Sequence, residues 1–335
     1  MTLSRRTLLA SGLAASLPLS VLADTNRAED RAQSLDQLHC LLVLQNGTPL
    51  IEQRVRGSAL DRPASIKSVS KTLVATLLGI AIDKGAIPAV TATLGDTAPG
   101  LIPKNADPRV RDITLEDLVT LRAGLERTSG PNYGEWVSSS NWVADALSRP
   151  LVAEPGRQML YSTGSTHVLG AALTEATGKP LLTLARDWLG KPLGIDIPPW
   201  TRDPQGYYMG GNEMALSPRD MARFGEMIRQ GGLWNGTRVV SETWITNSLT
   251  PVTRSPWSGL GYGYGWFTGQ TRATSYALAR GYGGQVICIA PEAGVTIAIT
   301  SDPLRPARSG GYFGHIMTLT QTDIHGPLTL SINFH

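Results

Sequence analysis

The chain of 335 residues is 41% hydrophobic and 17% charged, the balance of an ordinary globular protein with a large core. Its 30 Lys and Arg nearly match 27 Asp and Glu, which removes the electrostatic case for nucleic acid or an anionic membrane surface as partner. Two cysteines are too few for a disulfide framework and the five histidines are scattered without metal-ligand spacing, so no metal or other cofactor is expected.

Residues 1–23 read as a leader. Arg5-Arg6 precede a soft apolar stretch, and Val21-Leu22-Ala23 offers small residues to a signal peptidase. Paired arginines of this kind point to twin-arginine export, with the mature chain periplasmic or secreted. An ordinary secretory signal or an amphipathic N-terminal helix is the alternative. No later stretch reaches the ~20 apolar residues of a bilayer span, since 73–82 is cut by Asp83-Lys84, so no stable membrane insertion is expected after the leader.

Residues 38–45 and 50–56 flank Asn46-Gly47, a strong hairpin signal. Residues 68–84 then read as an apolar helix ended by Gly85, with Lys84 in its last turn. From there to about residue 210 the pattern is helical. Thr114 with Asp117 makes a capping box, Gly178 closes the 166–176 segment, and Ser217-Pro218-Arg219-Asp220 opens a helix that stops at Gly231-Gly232. After Trp257 strands are expected at 262–267, 275–280, 285–290 and 295–300. Residues 310–335 read either as a closing helix with an extended tail or as an extra strand.

Strands at both ends with helices between imply a mixed α/β fold. An antiparallel sheet flanked by helices is built from 34–84 and 215–335, and 85–214 forms an all-helical insertion domain. The joint between them is a cleft suited to a small molecule.

Ser68-Val69-Ser70-Lys71 is the one Ser-x-x-Lys of the chain. Residues three apart share a helix face, so the Lys71 amine lies within reach of the Ser68 hydroxyl, and first-turn amides are available to an oxyanion. The bland reading is a capping serine followed by a solvated lysine. Against it, no other charge appears before Asp83, which holds Lys71 toward the core. Ser70 is a rival nucleophile without a lysine three residues on. Neither a Gly-x-Ser-x-Gly elbow nor a His-Glu-x-x-His is present.

Ser68-Val69-Ser70-Lys71, Leu118-Val119-Thr120-Leu121-Arg122-Ala123-Gly124-Leu125 and Tyr161-Ser162-Thr163 together resemble the class C β-lactamase-like serine hydrolases. That group includes D-alanyl-D-alanine carboxypeptidases, esterases and 6-aminohexanoate-dimer hydrolases. The likeness continues through the helix opened by Ser217, Gly261-Tyr262-Gly263-Tyr264-Gly265-Trp266 and Gly281-Tyr282-Gly283-Gly284-Gln285, covering roughly 35–320. It implies a β-lactamase or penicillin-binding-protein-like fold, with Tyr161 as second catalytic base beside Ser68 and Lys71. It also implies oxyanion donors in the backbone of Ser68 and Gln285, and a third motif at Tyr282, Gly283 and Gly284. In that topology strand 295–300 pairs with 38–45, which separates Cys40 from Cys288 and leaves both as free, buried thiols.

Two departures bear on substrate: the third motif has no lysine, its nearest cation being Arg280, and Thr163 stands where lactamases usually carry Asn. Both favour a carboxylic ester or non-peptidic amide over a β-lactam or D-alanyl peptide. Tyr282 is expected at a leaving-group pocket and Tyr133 and Trp136 at the rim of the cleft. The alternatives are a β-lactamase or D-alanyl-D-alanine carboxypeptidase with the same machinery, and a non-catalytic cell-wall binding protein.

Overall fold

The computed structural model describes residues 19–325. Helix α1 (Leu19–Ser34) leads into β1 (Leu38–Gln45), which turns at Asn46-Gly47 into β2 (Thr48–Arg54). Both turn residues have positive φ, 48° and 81°, the conformation that Asn-Gly favours in two-residue hairpins. One 3-10 turn, Lys67–Val69, precedes α2 (Ser70–Asp83), which is apolar nearly all round and buried along residues 70–81.

Between residues 85 and 213 every regular element of the described chain is helical. The reciprocal cap of Thr114 and Asp117 starts the short helix Leu115–Val119, and α3 (Thr163–Thr177) ends on Gly178 in the left-handed conformation. Helix α4 (Pro218–Arg229) is capped by the Ser217 hydroxyl, and α5 (Glu242–Leu249) follows. The chain then lays down β3 (Thr253–Arg254), β4 (Gly261–Tyr262), β5 (Phe267–Gln270), β6 (Ser275–Gly281), β7 (Gln285–Ala290) and β8 (Val295–Ser301). Helix α6 (Tyr312–Thr318) and a wider turn, Leu319–His325, complete the described residues, so the closing-helix reading holds; residues 326–335 lie outside them.

The eight strands form one antiparallel sheet in the order β2-β1-β8-β7-β6-β5-β4-β3. Strand β8 lies between β1 and β7, so the two ends of the chain are locked in one sheet. Alternation sends Leu42 and Ile289 to one face and Val43 and Cys288 to the other. The first face shares a continuous apolar core with Leu73 of α2, Leu169 of α3 and Phe224 of α4. The second is covered by Ala28 and Ala32 of α1 and by Phe313 and Ile316 of α6. Cys40 faces the first core and Cys288 the second, with β8 between their strands; both are buried and free.

Residues 19–23, the end of the expected leader, form the first turns of α1, where neither Gly nor Pro interrupts the chain from Leu19 to Ser34. The rest of that leader lies outside the described residues. The strand expected at 262–267 is two strands with a turn between, because Gly265 must press against α2. Its φ is 79°, its carbonyl accepts from Thr72 Oγ1 at 2.7 Å, and a Cβ there would lie 2.8 Å from that of Ala75. Gly85 has a similar φ, 70°, in open space. Gly85→Ala is therefore expected to cost about 1 kcal/mol of backbone strain. Gly265→Ala should add about 1–3 kcal/mol of overpacking, and equal shifts of the two variants in thermal denaturation would contradict this.

Candidate active site

Ser68 sits in the 3-10 turn ahead of α2, where the chain is strained. Lys67 takes a φ of 49°, held by its ion pair with Glu213 Oε1 at 3.0 Å and by Ser70 Oγ, which donates to the Lys67 carbonyl at 2.6 Å. Ser70 also accepts from the Met214 amide at 3.2 Å and is fully buried, so this rival serine is a brace of the turn.

One helical turn on, Lys71 Nζ donates to Ser68 Oγ at 3.2 Å, Thr163 Oγ1 at 3.1 Å and the Gly211 carbonyl at 2.6 Å. The side chain is 2% exposed, and burial drives its pKa down to about 7. Protonated, the amine fills three donors on three oxygens. Deprotonated, it turns a lone pair toward a set in which the Gly211 carbonyl can only accept, leaving hydroxyls such as that of Ser68 as proton source.

Tyr161 arrives from the segment before α3. Lys71 Nζ lies 5.1 Å from its ring centroid, the ring stacks on Phe267 at 6.4 Å, and the hydroxyl hydrogen-bonds Ser68. Burial raises the phenol pKa, while the Ser68 bond and the positive charge of Arg280 oppose the rise. Thr163 is fixed by Ser129, whose Oγ accepts from the Thr163 amide at 2.9 Å and lies 3.0 Å from its hydroxyl.

Gly211 gives Lys71 its shortest contact, and only glycine fits there: a Cβ would lie 2.0 Å from Thr166 Oγ1 and 3.2 Å from Lys71 Nζ. The preceding amide, Gly210, donates to Nδ1 of buried His167 at 3.3 Å, and His167 Nε2 pairs with Asp203 Oδ2 at 3.0 Å. With Nδ1 accepting, the imidazole proton sits on Nε2 and points to Asp203.

These groups open on a cleft of about 800 Å³ lined by Ser68, Tyr161, Thr163, Tyr133 and Tyr282 among others. Three large apolar side chains stand at its mouth in solvent: Trp257 is 58%, Tyr282 53% and Leu304 82% exposed. Tyr133 occupies the rim as expected, with its hydroxyl accepting from Asn212 Nδ2 at 2.9 Å.

The structure corrects four expected contacts. Trp136 is fully buried, its indole N–H on the Trp142 carbonyl at 2.8 Å and its rings packed with Trp142 and Met209, because the short helix it occupies turns that face inward. Gln285 is also fully buried. Its amide group is spent on Ser301, and its backbone pairs with Gly281 in the β6–β7 ladder. Gly283 and Gly284 pack behind the cleft, against Asp302 and against Tyr312 and Ile316 respectively. The part of the third motif that reaches the cleft is Tyr282, with Gly281 just before it packed beside Ile66 and Lys67 of the turn that carries Ser68. The amides of Ser68 and Tyr282 have no acceptor among the described residues.

Sequence reasoning also missed Gly211, Ser129, Arg127, Trp257 and Leu304. Only Gly210-Gly211 left a signal, since adjacent glycines mark a close backbone approach. The others stand on loops whose positions no local pattern encodes.

A serine bonded to a buried, neutralisable lysine at the floor of a cleft is the arrangement of a serine hydrolase. The family model for beta-lactamase matches residues 41–312, and the chain belongs to that family. A curated relative, the 6-aminohexanoate-dimer hydrolase of Paenarthrobacter ureafaciens, is 27% identical over 250 residues. The match spans 70% of this chain and 64% of that protein. Among solved structures, EstCE1, a hydrolase with promiscuous acyltransferase activity, superposes with TM-score 0.74 at 16% identity, covering 92% of this chain and 98% of that one. A D-stereospecific amidohydrolase from Streptomyces sp. gives 0.69 at 18%, covering 89% and 98%. At these identities the two structures speak for the fold.

The depressed Lys71 pKa has a consequence for stability. Between about 7, the folded value, and about 10.4, the model-peptide value, the unfolded chain binds a proton at Lys71 that the folded protein does not. Stability therefore rises with pH across that window. Lys71→Met should flatten the slope of unfolding free energy against pH there, as measured by urea denaturation; an unchanged slope would assign it to other groups.

Proposed function

We propose that the protein hydrolyses a small carboxylic ester or non-peptidic amide through an acyl-enzyme on Ser68. One observation carries the reading: among the described residues Lys71 is buried without a carboxylate partner, and its amine, lowered to about 7, lies 3.2 Å from Ser68 Oγ. Ser68 Oγ attacks the substrate carbonyl carbon while its proton passes to Lys71. The amides of Ser68 and Tyr282 hold the negative oxygen. As the tetrahedral centre collapses, the bond to the leaving group breaks, and the proton reaches that group through the Tyr161 hydroxyl. Water then enters, gives a proton to the same pair, and releases the acid and Ser68.

Esters and open amides are favoured over β-lactams by two features. The cation nearest the third motif, Arg280, is turned to the Phe313 ring at 3.5 Å and the Ala307 carbonyl at 3.0 Å. Thr163, in place of Asn, is committed to Lys71 and Ser129. The apolar mouth of Trp257, Tyr282 and Leu304 suits an acyl chain or leaving group of low polarity. The relatives' names agree with this range of substrates.

With p-nitrophenyl esters a burst followed by slower turnover is expected, and kcat/KM should rise with pH to a plateau with a midpoint near 7 as Lys71 loses its proton. Ser68→Ala should abolish the burst, Tyr161→Phe should slow it by roughly 10²–10⁴-fold, and Ser70→Ala should keep it. Full turnover in Ser68→Ala would sink the reading, and nitrocefin hydrolysis far above ester hydrolysis would shift it to β-lactams. The reading extends to export, on the strength of Arg5-Arg6. Replacing both with Lys should retain a tagged chain in the cytoplasm on cell fractionation, and unchanged export would remove the twin-arginine route.

A further inference from the structure

Beside Arg127 and Trp257 the catalytic cleft adjoins a second hollow of about 480 Å³, whose walls include Arg157 and Arg254. The cations lining the two hollows are Lys67, Arg127, Arg157, Arg254, Arg280 and Arg308, and the one acid is Glu213, already bonded to Lys67. The chain as a whole is almost balanced, at 30 basic and 27 acidic residues, so this surface concentrates positive charge. None of the five arginines makes an ion pair among the described residues.

Their remaining contacts leave donors to spare. Arg280 is turned away toward Phe313, whereas Arg127 lies over the Trp257 ring at 5.5 Å and Arg254 donates once, to the Gly259 carbonyl at 3.2 Å. Guanidinium groups present planar forks that match the paired oxygens of carboxylate and phosphate. Met159, Leu160 and Pro256 in the same walls give the hollow apolar surface between the charges. The combination fits a chain of methylenes that ends in an anion.

We infer that the Arg127–Arg157–Arg254 hollow is a subsite for an anionic headgroup, carried on an apolar chain by the ester or amide cleaved at Ser68. The inference rests on the hydrolase reading for the bond that is cut, and on the arginines alone for the binding of the anion.

The test compares p-nitrophenyl esters of three matched six-carbon acyl chains ending in methyl, carboxylate or phosphate. A second series carries the same three ends on the alcohol side of an acetate ester. An anionic end is expected to raise kcat/KM about tenfold or more in one series, which identifies the half of the substrate that reaches the arginines. The better anion tells carboxylate from phosphate. The gain should shrink as salt is raised and collapse toward one in the double variant Arg157→Gln/Arg254→Gln. Equal kcat/KM for all three ends in both series, or a gain that survives the double variant, overturns the subsite.

Calorimetric binding of adipate and hexyl phosphate to Ser68→Ala protein reads the subsite without catalysis. Binding that disappears with the two arginines supports it even if no ester is cleaved, and absence of binding counts against it even if neutral esters are cleaved well. Melting curves of the double variant separate a lost anion site from a lost fold.

Discussion

Everything at this site depends on burying the Lys71 amine without a carboxylate to pair with it. A buried ammonium is costly, and the protein answers in two ways: burial lowers the pKa to about 7, and three oxygens from three chain segments surround the nitrogen. A carboxylate in place of any of these oxygens would hold the proton on the lysine and disable it as a base. The choice of Ser68, Thr163 and the Gly211 carbonyl is therefore a condition on the chemistry as well as on packing. It explains why Gly210-Gly211 must come so near α3 that no side chain fits.

The same demand propagates outward. Lys71 is immersed because α2 is apolar nearly all round and lies in the core beneath the sheet. That immersion fixes the height of Ser68, which the 3-10 turn must then present to the cleft. The turn does so with a strained Lys67 backbone, clamped by Ser70 from within and by Glu213 from across the cleft. The end of β6 packs on this turn, Gly281 lying against Ile66 and Lys67, so that Tyr282 and Ser68 line the same cleft. The proposed nucleophile, held this way, is preorganised, since the cost of its geometry is met when the protein folds.

How much of this was legible in the sequence follows from the range of each interaction. Ser68 with Lys71, the Asn46-Gly47 hairpin, the Thr114–Asp117 cap and the Gly178 stop involve residues at most a few positions apart, where periodicity and turn chemistry are decisive. Tyr161 and the pairing of strand 295–300 with 38–45 came through likeness to a family, because no local rule joins residues more than 90 or 200 positions apart. The errors have physical causes as well. Alternating Gly and aromatic residues at 262–267 imitate a strand, yet Gly265 is there to touch α2 and Gly263 to pass close to the Ser248 and Thr250 carbonyls. Gln285 was expected to offer its backbone N–H and Trp136 its ring to the cleft, but both are fully buried, with their side-chain polar atoms satisfied inside the protein.

The division between chemistry and recognition follows from where the residues stand. Lys71 and Thr163 lie on long helices, with Ser68 in the turn leading into one of them, and the Tyr282 amide follows the last residue of a central strand. Their positions are fixed by the core. Arg127, Arg157, Trp257 and Leu304 lie on connecting segments, where a substitution costs little packing. A fold arranged in this way can change what it binds without disturbing how it reacts. Family membership therefore argues for the acyl-transfer machinery more strongly than for any one substrate. On the readings proposed above, the choice of substrate falls to the cleft's own chemistry: an apolar mouth beside arginines that have no ion pair among the described residues suits a molecule that is greasy along its length and negative at its end.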